Sequence, residues 1–478
     1  MSELMTSGDK NAEERKSMKT RYRLEKDALG PFKVPEDAYW GVNTGRALLN
    51  FNISGRPVHP RLIEAYVEIK RAAALVNEKS GLLPPRPARA IRAACDDALA
   101  GKLAGQFVVD KYQAGAGTST NMNVNEVLCN RALERLRKPK GDYKTIHPND
   151  HVNLSQSTND TYPAAMRLAA LAALREFHPE AMKLAASFFR LGRRYGKVVK
   201  SGRTHLSDAV PVTLGGEFRA YGGALRASIK TLKKAADGLT ELGLGGTGTG
   251  TGLNAPAGFP ARMCRELSRR QGLKLKPASD LQKAMQSQGP LGDTAAALRG
   301  FSLELGRIAN DLRLLASGPA AGLAEIRLPI VQAGSSFMPG KVNPSILEMV
   351  NMVCFRVIGN DQAAAWAVGA GQLELNVMMP VLAESLLESI ELLTAAVRVL
   401  RTRCIDGITA DAKRCRDYAY RSPAVATILS PILGYDRAAD LAKRAVREGR
   451  SVPDILDGES GLSKAELKAV LTALRKMG

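Results

Sequence analysis

Residues 332–350 read QAGSSFMPGKVNPSILEMV, and within nine positions they set two hydroxyls, an ammonium and an amide: Ser335, Ser336, Lys341 and Asn343. Three other clusters carry the same residue types. GAGTSTNMNVNE (115–126) supplies Thr118, HPNDHVNLSQSTNDTYP (147–163) supplies Ser157, Thr158 and Asn159, and SGRTHLSDAVP (201–211) supplies Thr204 and His205. Neutral donors with one cation, one histidine and no carboxylate pair do not suit glycoside hydrolysis, which needs two positioned carboxyls. Ser335 lies in AGSSF rather than GxSxG, so a serine hydrolase is not indicated either. The inventory suits a small ligand bearing carboxylates, whose oxygens accept hydrogen bonds from hydroxyls, amides and an ammonium. Removing a proton next to a carboxylate creates a doubly charged enediolate, which preorganised donors of this kind would stabilise.

Blander roles compete at every cluster. Ser, Thr, Asn and Asp are favoured at helix starts and turns, and Gly334, Pro339, Gly340 and Pro344 suffice for a connection between helices. A phosphate-binding loop is excluded, because Lys341 is followed by Val342 and the glycine spacing is wrong for GxxxxGK[ST]. GLGGTGTGTGLN (243–254) satisfies GxGxxG literally, but a helical run leads into it and NAPAGFP leads out, so dinucleotide binding is improbable.

The elements that must position these clusters read as helices. Leu62, Tyr66, Ile69, Ala73 and Val76 line one helical face. Leu298, Phe301, Leu305, Ile308, Leu312 and Leu315 form a longer seam, and Leu382, Leu386, Ile390, Leu393, Val397 and Leu400 nearly repeat it. Seams of this kind pack in bundles, and apolar faces beyond what one chain covers predict a homo-oligomer. Strand-like alternation is sparse, and residues 34–51 read as irregular structure around turns. The expected organisation is a polar tail over 1–20, an N-terminal domain over 21–156, a central helical bundle over 157–410 and a small helical domain over 411–478. Ser463 and Glu466 have capping-box spacing before a last helix.

The 478 residues are 45% hydrophobic and 24% charged, ordinary for a globular chain. Apolar runs are too short to span a membrane and no signal peptide is legible, so a cytoplasmic protein is expected. Six scattered cysteines without a CxxC pair predict reduced, buried thiols and no metal site. The net charge of +21 is spread out, which favours solvated surface or steering of a small dianion over nucleic acid.

GSSFMPGKVNP resembles the signature loop of the aspartase/fumarase superfamily, and the other three clusters resemble its remaining active-site segments in order and spacing. The similarity runs from about residue 21 to the C-terminus. GKVNP resembles the aspartase and fumarase branch. GAGTSTNMN, HVNLSQSTND, VCFRVIGND and GQLELNVM are more similar to aspartate ammonia-lyases than to fumarases. The resemblance implies reversible deamination of L-aspartate to fumarate, with fumarate hydration or action on a related amino-substituted dicarboxylate as the alternative. It implies an elongated, all-α, three-domain subunit whose central helices form the core of a homotetramer, with sites shared between subunits and no cofactor.

Residue by residue, the resemblance makes Ser335 the general base. Thr118, Ser157, Thr158 and Ser336 would hold the carboxylate that becomes the enediolate. Lys341, Asn343 and Thr204 would grip the other carboxylate, Asn159 and His205 would face the leaving amine, and Glu348 would orient the histidine. Phe337 stands where the family usually has a smaller aliphatic residue, and Met379 where aspartases commonly have glutamate.

Overall fold

The computed structural model describes residues 21–457 together with residues 465, 469 and 472. The polar segment 1–20 and the Ser463–Glu466 capping box lie outside the described residues. Helices dominate, and the three seams read from spacing are all buried. Leu62, Tyr66, Ile69, Ala73 and Val76 lie on helix Pro60–Lys79. The two longer seams lie on helices Gly289–Leu315 and Met379–Arg403. Removing each buried Leu, Ile, Val or Phe side chain of these seams from water stabilises the fold by roughly 1.5–3 kcal/mol. No helix among the described residues is long and apolar enough to cross a membrane.

The described residues divide into two compact units, interleaved along the chain where the sequence suggested successive segments. The first comprises the chain up to Ala173 with Ala235–Ala295 and Asn360–Glu388. The second comprises Leu174–Lys234, Ala296–Gly359 and the chain from Ser389. Long helices cause the interleaving: Thr158–Arg194, Gly289–Leu315 and Ser345–Gly369 each contribute residues to both. Near the C-terminus, Val425, Leu429, Leu441, Val452 and Ile455 close a small apolar core within the second unit.

Two stretches differ from their sequence reading. Residues 34–51 are not irregular throughout: hairpin Tyr22–Asp27/Gly30–Pro35 ends there and helix Val42–Asn50 follows. Its N-terminus has no local side-chain cap. Glu126, far along the chain, accepts the backbone N–H groups of Gly41 at 2.8 Å, Asn43 at 2.8 Å and Thr44 at 3.1 Å. A carboxylate supplied from a distance satisfies the orphan donors that local pattern leaves open. SGRTHLSDAVP, in turn, is the tip of an antiparallel hairpin, Val199–Thr204 paired with Ser207–Thr213.

The glycine-rich stretch does follow a strand, but one of only two residues, Glu241–Leu242. Helix Phe259–Gln271 begins well beyond it. The backbone N–H groups of Gly245 and Thr247 are already donated to Asp160, at 2.9 and 3.1 Å. That leaves them unavailable to a pyrophosphate.

Candidate active site

In the first unit, Thr118 and Thr158 each open a helix, Thr118–Arg135 and Thr158–Arg194. Unpaired N–H groups at such ends favour anions. The approach to Thr118 needs backbone that L-residues avoid: Ala116 has φ 59° and Gly117 φ 77°. A Cβ on Gly117 would sit 1.9 Å from the Tyr162 ring, so only glycine fits.

The two helix starts are tied through the amide of Asn121, whose Nδ2 donates to Thr158 Oγ1 at 2.9 Å. Its Oδ1 accepts from Lys70 Nζ at 2.8 Å, and Lys70 also donates to Asn153 Oδ1 at 2.7 Å. Lys70 is fully buried, and burial pushes its ammonium down to about 7 against the opposing pull of Asp160.

Ser157 combines a structural and a candidate role. Its Oγ accepts Asn159 N–H at 3.2 Å, while Asp160 Oδ1 accepts Ser157 N–H at 3.0 Å, which is capping-box geometry. Burial pushes the Asp160 carboxyl up to about 6, although three backbone donors and Lys70 pull it down. Asn159 donates its Nδ2 to Gly248 O at 2.8 Å. No hydrogen bond among the described residues uses its Oδ1, which leaves an acceptor suited to an ammonium. Ser157, Asn153, Ser155, Thr247, Thr251 and Asn254 help to line a cavity of about 660 Å³. The glycine-rich stretch is thus a wall of the cavity that Ser157 faces.

In the second unit, the signature loop folds back on itself. Gly334 N–H donates to Lys341 O at 2.8 Å, and Asn343 Nδ2 donates to Gly334 O at 2.5 Å. A Cβ on Gly334 would lie 2.4 Å from Lys341 O, and Gly340 has φ 79°, so the turn uses glycine at both places. Ser335 Oγ accepts the backbone N–H groups of Phe337 at 3.1 Å and Met338 at 2.9 Å. Two such donors aimed at this oxygen would stabilise negative charge on it. Ser336 and Lys341 are exposed, as is Phe337 at 89%.

Thr204 and His205 stand at the exposed hairpin tip, where His205 and Leu206 have φ 55° and 59°. Glu348 lies in the first turn of helix Ser345–Gly369. Among the described residues, no hydrogen bond or ion pair joins it to His205. Thr118, Ser157, Thr158 and Asn159 thus belong to one unit, and Thr204, His205, Ser335, Ser336, Lys341, Asn343 and Glu348 to the other.

Lys70, Asn121, Asn153 and Asp160 were absent from the sequence reading. One signal was available: Lys70 follows Tyr66 by four residues, which sets a charge on the buried face of its helix. The two asparagines and Asp160 lie inside polar clusters where nothing marks one amide or carboxylate above another.

A lyase family model matches residues 30–359, and a fumarase C C-terminal model matches residues 425–477. The chain is 45% identical to an aspartate ammonia-lyase of Corynebacterium glutamicum, over 96% of this chain and 88% of that protein. It is 43% identical to the aspartate ammonia-lyase of Escherichia coli, over 96% and 97%. A crystal structure of a fumarate lyase:delta crystallin from Brucella melitensis, bound to cobalt, superposes with TM-score 0.92 at 47% identity, covering 96% of this chain and 100% of that one. A class II fumarase of Schistosoma mansoni superposes with TM-score 0.91 at 33% identity, covering 95% and 99%. Among the described residues, no group of three or more His, Cys, Asp or Glu side chains is placed to hold a metal ion. With its helical fold, its signature loop and these matches over nearly its whole length, the chain belongs to the lyase family of the aspartase/fumarase superfamily.

Proposed function

We propose that this protein is an aspartate ammonia-lyase, eliminating ammonia from L-aspartate reversibly to give fumarate. The observation that carries the chemistry is Ser335, whose Oγ already accepts two backbone N–H groups. A free serine is a poor base, and donors aimed at its oxygen bring its alkoxide within reach. Ser335 takes the proton from the carbon beside the side-chain carboxylate. The electron pair moves into that carboxylate, and Thr118, Ser157, Thr158 and Ser336 stabilise the resulting enediolate. Collapse of the enediolate breaks the carbon–nitrogen bond. The amine departs past Asn159 Oδ1 and His205, while Lys341, Asn343 and Thr204 hold the other carboxylate.

The high identity to aspartate ammonia-lyases supports the choice of substrate. Incubating the purified protein with fumarate, separately with ammonium and with water alone, tests it. Aspartate forms only in the first case if the proposal holds. Malate in the second, without aspartate in the first, makes the protein a fumarate hydratase instead.

The working form in this proposal is a cytoplasmic homotetramer whose sites draw residues from several subunits. Helix Ser345–Gly369 supports self-association by exposing Met352, Phe355 and Trp366 along one stripe, at 67%, 66% and 81%. A shared site would also explain why Glu348 pairs with no histidine among the described residues: its partner would be His205 of another copy.

A further inference from the structure

A chain of four charges, two of them buried (Lys200 and Glu325) and two half-buried (Arg203 and Glu217), lies beneath the hairpin that carries Thr204 and His205, all within the second unit. Glu325 is fully buried and takes the Arg203 guanidinium in a two-pronged contact, Nη2 to Oε1 at 2.8 Å and Nη1 to Oε2 at 3.1 Å. Glu325 Oε2 also lies 3.0 Å from Lys200 Nζ, which donates to Glu217 Oε1 at 2.7 Å. Cations and anions alternate, so no buried charge is left unpaired. Lys200 and Arg203 belong to strand Val199–Thr204, and Arg203 immediately precedes the turn.

That turn is costly for its sequence. Thr204 pairs with Ser207, so His205 and Leu206 occupy the two central positions of a two-residue hairpin turn, both at positive φ. Such turns favour Asn-Gly, because other L-residues are strained there. Strain of this kind persists only where the surroundings hold it. Glu325 also holds something else in place. Its N–H donates to Leu315 O and its carbonyl accepts Asp411 N–H, each at 2.9 Å. The next two residues pair with Thr409–Ala410, and the chain then leads to Ser335.

We infer that Glu325 is a positioning residue for the proposed elimination. Through Arg203 it holds the strained turn that presents Thr204 and His205, and through its own backbone it fixes the root of the segment that reaches Ser335. One residue thereby anchors, by its carboxylate and by its backbone, two segments that each carry residues of the proposed mechanism. The inference rests on the roles assigned above to those three residues.

The test uses Glu325→Gln, which keeps shape and removes charge, read by hydrogen exchange over 199–213 and 326–340 and by kcat/KM. Expected are faster exchange over 199–213, a smaller change over 326–340 because Gln keeps the backbone bonds of residue 325, and a fall in kcat/KM of about tenfold or more, since misplacement by about 1 Å already costs rate. Leu206→Gly, which relieves the turn, should recover about threefold or more in the Glu325→Gln background and leave the otherwise wild-type enzyme within about twofold. A purely structural role would lower Tm without that rescue. Unchanged exchange, turnover within about twofold of wild type, or failure of the glycine rescue overturns the inference. If Glu325→Gln does not fold, Arg203→Lys, which keeps the charge and loses the fork, is judged by the same criteria. Should the wild-type protein form no fumarate, the elimination itself is wrong, and the exchange data alone then decide whether the Glu325 carboxylate anchors the hairpin.

Discussion

Ser335 Oγ accepts the backbone N–H of Met338 at 2.9 Å, across a turn closed by the contact of Gly334 with Lys341. The oxygen is therefore held by the loop's own backbone before any substrate arrives. Ser335→Ala removes the acceptor and the proposed base together, but the loop retains its Gly334–Lys341 and Asn343–Gly334 hydrogen bonds. Turnover should fall by about 10²-fold or more, with Tm and assembly unchanged. Turnover near the wild-type rate would remove Ser335 from the mechanism.

Gly117 is the sharpest steric constraint in the first unit. Its φ of 77° and the Tyr162 ring 1.9 Å from an added Cβ act against Gly117→Ala together. Overpacking and left-handed backbone should cost about 2 kcal/mol or more, read from urea denaturation. Because Gly117 directly precedes Thr118, kcat/KM should drop even at temperatures where the variant is folded. A variant of wild-type stability would show that the backbone relaxes freely here.

Lys70 and Asp160 give the first unit a pH signature. The folded value for Lys70, about 7, lies below its unfolded 10.5. Between them the unfolded chain binds the proton and the native chain does not, so stability from this group rises as pH rises. The folded value for Asp160, about 6, lies above its unfolded 3.8, so there the native chain binds more protons and stability falls as pH rises. Together the two place a local minimum between pH about 6 and 7. Unfolding free energies measured for the wild type and Lys70→Met from pH about 4 to about 10 should show the upward limb above about 7 only in the wild type. Parallel curves would mean that Lys70 keeps its proton throughout.

Most of the helical frame was legible because a buried helix face repeats every three or four residues, and the seams at 62–76, 298–315 and 382–400 do so without interruption. What was not legible depends on partners distant in sequence. Helix Val42–Asn50 has no cap of its own and is started by Glu126. The hairpin at 199–213 is hidden because its turn is neither Asn-Gly nor Asp-Gly, and its support comes from Glu325. The polar clusters were legible as groups of donors, but not the order within them: Lys70 and Asn121 reach Thr158 only through a three-dimensional relay.

The stripe of Met352, Phe355 and Trp366 bears on the assembly. Exposed apolar residues spaced along one helix face leave a surface that water disfavours and a second helix would cover. In an isolated subunit, Phe355→Glu with Trp366→Glu would change only solvent-facing positions and should leave Tm nearly unaffected. In a homotetramer the same pair should be buried, and the charges should dissociate it, which sedimentation equilibrium would report as a loss of mass. Shared sites add a sharper expectation. Ser335→Ala and Thr158→Val chains should each be inactive alone, but when refolded as a mixture they should form some sites with neither substitution and regain a fraction of wild-type turnover. If the mixture stays inactive while forming mixed oligomers, then Ser335 and Thr158 of any one site come from the same chain, and the shared-site proposal fails for this pair.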